Sequence, residues 1–103
     1  MKKIFLGVLL SSSILIANSL KGGYPACTSK KDLSDFSMAG VKKDYRMMNY
    51  LVESGNCVIT KKGIKIDILD SSIFSGNAKV RVWIGKTPVE VWTNIENIEI
   101  STS

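Results

Sequence analysis

Apolar and polar positions alternate through most of the second half of the chain. In Ile64-Lys65-Ile66-Asp67-Ile68 the isoleucines fall on one face and the charges on the other, the mark of a half-buried strand. Lys79 to Ile84 repeats the pattern with Val80, Val82 and Ile84 inward, and Val89-Glu90-Val91-Trp92-Thr93 repeats it again. Cys57 to Thr60 reads as a short strand, Lys61-Lys62-Gly63 as a turn, and Asp70 to Asn77 as a longer loop. Gly85-Lys86-Thr87-Pro88 turns the chain, Thr93-Asn94 opens a single 3₁₀ turn, and Ile98 and Ile100 close with a last strand. Four or five short strands at this spacing predict a small barrel.

Before Gly55 the period is helical. Ser29 with Asp32 three residues on predicts an N-cap, and a helix over 30–39 places Leu33 and Phe36 on one face, with Gly40 ending it. A second helix over 43–54 carries Tyr45, Met48, Leu51 and Val52 on its apolar stripe, and Gly55-Asn56 supplies its cap. Leu20 to Ala26 reads as an extended lead-in. The expected fold class is therefore α+β, mainly β: a short N-terminal helical hairpin, then a small barrel of about five strands.

The first residues stand apart. Met1-Lys2-Lys3 precedes the apolar run Ile4 to Ile16, and small residues at Ala17 and Ser19 permit a cut after either, as in a secretory signal peptide. The apolar run falls short of the ~20 residues that span a bilayer, and three serines interrupt it. Cys27 lies too far behind it for a lipid anchor. The expected organisation is 1–19 signal peptide, 20–56 lead-in and hairpin, and 57–103 barrel, the last two forming one domain in the periplasm or outside the cell.

Export bears on the cysteines. Cys27 and Cys57 are the only two thiols, and an even pair in a small exported domain predicts a disulfide. A redox pair wants Cys-x-x-Cys spacing. Two distant cysteines in a chain with no histidine make no metal site. Loss of Lys2 and Lys3 leaves 12 basic and 9 acidic side chains, a charge of +3 with no basic stripe, so nucleic acid is not the expected partner.

The strand order, from Gly63-Ile64-Lys65-Ile66-Asp67-Ile68-Leu69 through Lys79-Val80-Arg81-Val82, Gly85-Lys86 and Val91-Trp92-Thr93 to Ile98, resembles a bacterial SH3-like (SH3b-type) barrel. The helical part looks like that of small exported proteins of unknown role. The resemblance covers residues 57–100 and implies an SH3-like barrel that binds a ligand rather than transforming one. The usual Asn-Val-Arg-x-Gly-Pro opening is missing, which weakens any carry-over of wall-peptide binding.

Candidate chemistry is sparse. Without histidine no serine has the usual activating base, the acids sit on strand faces, and there is no phosphate loop or EF-hand, so neither enzyme activity nor a cofactor is expected. Trp83 and Trp92, pointing outward on neighbouring strands with Arg81 and Glu90 beside them, form the candidate ligand platform, unless the helices cover it. The expected function is a monomeric, non-catalytic, exported SH3-like module recognising a peptide or protein of the cell envelope. The alternative is a small periplasmic inhibitor or immunity protein presenting the Asp70–Asn77 loop, with Phe74 as anchor, to a wall hydrolase or toxin.

Overall fold

The computed structural model describes residues 16–72 and 75–102. The cationic start and most of the apolar run of the expected signal peptide, and Ile73 and Phe74 of the nominated inhibitory loop, lie outside the described residues.

The elements, in chain order, are β1 (Ile16–Leu20), β2 (Pro25–Cys27), α1 (Lys30–Lys42), α2 (Tyr45–Glu53), β3 (Cys57–Ile59), β4 (Ile66–Ser72), β5 (Asn77–Ile84), β6 (Thr87–Asn94), a 3₁₀ turn (Ile95–Asn97) and β7 (Ile98–Thr102). β1 pairs antiparallel with β7, and the other five strands form one sheet in the order β3-β2-β6-β5-β4. The expected fold class is corrected here. Among the described residues the helices follow two strands instead of opening the domain, and seven strands form two sheets in place of a five-stranded barrel. The supposed lead-in is structural. Leu20 is buried and its N–H bonds to the Ile64 carbonyl, while Ala26 and Cys27 pair with both β3 and β6.

Alternation along β5 divides the interior in two. Ala78, Val80 and Val82 face the β1–β7 ribbon and build one core with Leu20 and Ile66, joined by Ile64, Val91, Ile95 and Ile98. The other face of the sheet carries Cys27, Cys57 and Trp92, on which Leu33 and Phe36 of α1 and Leu51 of α2 pack. Burial of these side chains holds the helices, since helices this short are marginal alone in water.

The helix ends differ from expectation. Ser29 caps α1 through the Asp32 N–H as predicted, but α1 runs through Gly40 and ends at Lys43, which takes the left-handed conformation (φ 58°). Asp44 then caps α2 through the Met47 N–H. Only Leu51 and part of Met48 reach the core; Tyr45 and Val52, assigned to the same stripe, are exposed, because α2 meets the sheet along a narrow line. β4 continues to Ser72 past a register shift at Leu69, so Asp70, Ser71 and Ser72 belong to a strand where a loop was expected.

The predicted Cys27–Cys57 disulfide is formed. It is a cross-strand bridge between directly paired residues of β2 and β3, with a Cα separation of 4.0 Å. It therefore clamps the two strands that bracket the helices.

A polar cluster ties the sheets together. Asn97, fully buried, donates from Nδ2 to the hydroxyls of Thr60 and Thr93, both at 3.0 Å, and accepts the Gly22 N–H on Oδ1 at 3.0 Å. The two hydroxyls donate in turn to the carbonyls of Tyr24 and Pro25, each at 2.8 Å. Every polar side-chain atom of the cluster is satisfied, as burial requires.

Candidate functional site

The four residues nominated from the sequence share one face of the β5–β6 hairpin. Arg81 and Glu90 are direct cross-strand partners, Trp83 lies opposite Pro88, and Trp92 lies opposite Lys79. They do not form a common platform. Trp83 and Trp92 sit four register positions apart, about 13 Å along the strands. Trp92 is half-buried beneath α1, with the Lys30 ammonium 5.6 Å from its ring centre. Trp83 is exposed, and its indole N–H donates to Asp67 Oδ2 at 2.8 Å. Arg81 lies 3.7 Å from the same carboxylate oxygen, and Glu90 pairs with Lys79 at 3.3 Å. The charges of this face are thus engaged with one another.

The opposite face of the same hairpin behaves differently. Where the β1–β7 ribbon stops, an open groove of about 370 Å³ crosses the five-stranded sheet. Its floor is Ala26 of β2 with Val91 of β6, and its far wall is Val82, Ile84 and Val89. Leu20 and Ile64 close one side, and Val58 and Ile59 of the edge strand β3 form the near wall. Several of these large side chains stay in contact with water: Ile84 is 65% exposed, Val58 56% and Ile59 47%. The inward expectation for Ile84 is corrected on this point. The alternation assigned it to the right face, but nothing packs over that part of the face.

The polar contribution to the groove is one-sided. Thr28, Asn56, Thr60 and Lys61 all belong to β3, its flanks or the adjoining end of β2. Lys61 is the only charged residue in the lining, no carboxylate lines it, and the Lys61 ammonium makes no ion pair among the described residues. Sequence reasoning missed this site because it reads as ordinary core. The signal that was present is Val58-Ile59, two consecutive large aliphatics in a strand too short to bury both.

Among the described residues no group of three or more His, Cys, Asp or Glu side chains is placed to hold a metal ion. Among the described residues no helix is long and apolar enough to cross a membrane. Comparison with models of protein families, with curated proteins and with solved structures finds no match to this chain.

Proposed function

We propose that this chain is an exported, non-catalytic binding module of the cell envelope, and that its ligand seats in the apolar groove and not on the Trp83–Trp92 face. The observation that carries the reading is the groove itself: large aliphatic side chains left open to water on a framework held by a disulfide and a buried polar cluster. Contiguous exposed apolar surface in a small protein marks an interaction site. The disulfide fits an oxidising compartment. A cut after Ala17 or after Ser19 spares Leu20, which packs in the core, but removes two or four of the five residues of β1 and that part of its pairing with β7.

The test is retention of envelope components on immobilised, disulfide-intact protein, analysed by mass spectrometry. Ile84→Asp, at an exposed position, should lose what the unaltered protein retains, whereas Trp83→Ala should keep it. Loss with Trp83→Ala and retention with Ile84→Asp would move the site to the tryptophan face and overturn the proposal.

A further inference from the structure

The direction and polarity of the groove point to one class of ligand. We infer that it takes the hydrocarbon chain of a free, single-chain anionic amphiphile, with its headgroup at Lys61; this rests on the groove being the ligand site. The groove runs obliquely over one face of the sheet, from Val58 on β3 over Ala26 on β2 and Val91 on β6 to Val82 and Ile84 on β5. A peptide lying this way would bury backbone N–H and C=O groups against aliphatic side chains with nothing to bond them, which is costly. A hydrocarbon chain has no such groups. From the Ala26–Thr93 pair to the Ile84–Thr87 pair is six register positions, about 20 Å along the strands, so the groove is long enough for an extended alkyl chain.

The ends are distinguishable. At the β5–β6 end the lining is wholly aliphatic: Val82, Ile84, Val89 and Val91. At the β3 end stand the polar lining groups, with Lys61 as an exposed cation that no acid of the groove neutralises. A negative headgroup, carboxylate or phosphate, is therefore favoured at β3, with the tail towards Ile84.

The experiment is calorimetric titration of the disulfide-intact protein with the sodium salts of octanoic, decanoic, dodecanoic and tetradecanoic acids, each kept below its micelle-forming concentration. Alkyl phosphates and alkyl alcohols of matched length run in parallel. Each added methylene should tighten binding about fourfold until the groove is filled, and the gain should then stop. Lys61→Glu should weaken the carboxylate and the phosphate about three- to tenfold and leave the alcohol unchanged. Ile84→Asp should abolish binding of all three while the melting curve is kept.

Affinity independent of chain length, or rising without a plateau, would overturn the inference. So would binding only to vesicles of anionic phospholipid, displacement of dodecanoate by an extended apolar peptide at lower concentration, or self-association that Ile84→Asp removes. If chain length has no effect while Ile84→Asp still releases envelope components in the retention assay, the amphiphile is wrong and the groove remains the site. If Ile84→Asp changes neither, both readings fall.

Discussion

Replacing Asn97 by alanine removes the one side chain that connects the β1–β2 turn, the end of β3 and β6. Three hydrogen bonds are lost: two donated to Thr60 and Thr93, and one accepted from the Gly22 N–H. At about 0.5–1.5 kcal/mol each they account for roughly 3 kcal/mol. The Gly22 N–H then has no acceptor in a partly buried site, and the amide leaves a small void among residues that are themselves buried, so a total of about 3–5 kcal/mol is expected. The threonine hydroxyls keep their own acceptors on Tyr24 and Pro25, which caps the damage at that level. For a domain of this size such a loss lowers the melting temperature by about 15–30 °C.

Asn97→Asp separates hydrogen bonding from shape. It keeps the volume and the acceptor for Gly22, but it offers no donor to the threonines and buries a charge. Burial raises the carboxyl's folded-state pKa above its unfolded value of about 3.9. Its deficit relative to the unaltered protein is therefore greatest above that raised pKa and shrinks as pH falls through it, because the protonated acid is neutral and regains one donor. Urea unfolding under non-reducing conditions at several pH values measures both variants. A loss below about 1 kcal/mol for Asn97→Ala, or an Asn97→Asp deficit that does not change with pH, would refute the assignment of Asn97 as the tie between the sheets.

Three further outcomes follow from the structure. Cys27→Ser with Cys57→Ser opens a closed loop with a sequence separation of 30 and removes two core residues, so stability should fall by about 2–4 kcal/mol. Hydrogen exchange should then show α1 and α2 opening before β5 and β6, and simultaneous opening of all four would count against the clamp. Gly22→Ala should be far more damaging than Gly23→Ala: both glycines have positive φ, but a Cβ at 22 would lie 2.6 Å from the Lys62 nitrogen, whereas at 23 it meets nothing within 4 Å. Thermal melts giving equal losses would show that no close approach exists there. Ile84→Thr should alter stability by no more than about 0.5 kcal/mol, and a larger loss by urea titration would make Ile84 part of the core.

Much of the β-rich half is legible in the sequence, since each long strand carries its own period. Ile66 and the valines of β5 are buried as the alternation requires, and the 3₁₀ turn falls just after Thr93-Asn94. Leu33, Phe36 and the disulfide were equally readable. β2 was not, because three residues carry no periodicity and its pairing with β6 joins residues more than 60 positions apart. The overshoot at Tyr45 and Val52 has a related cause: a helical stripe identifies a face, while the width of the surface it meets decides how much of that face is covered. Asn97 gave no sign of its role among Glu96 and the neighbouring isoleucines, since two of its three partners, Gly22 and Thr60, come from distant segments. The tryptophans were placed on the correct face, yet α1 covers one end of that face and leaves the other open, a division that depends on where the helices return to the sheet.

A mismatch in strand length keeps the groove open. β5 and β6 have eight residues each, whereas β1 and β7 have five. At about 3.4 Å per residue the hairpin outruns the covering ribbon by roughly 10 Å. Along that overhang the alternation continues unchanged, with Arg81, Trp83 and Glu90 on one face and Val82, Ile84 and Val89 on the other. A strand segment wet on both sides gains nothing for the fold from large aliphatics and carries an association hazard, which is why natural sheets usually blunt such surface with charge. Here the charges all lie on the face away from the groove, paired among themselves. The only charge in the groove is Lys61, just past the end of β3, the strand farthest from Ile84. Folding requires neither the exposed Ile84 and Val89 nor the single lysine opposite them, and together they fit the proposed apolar ligand with one negative end.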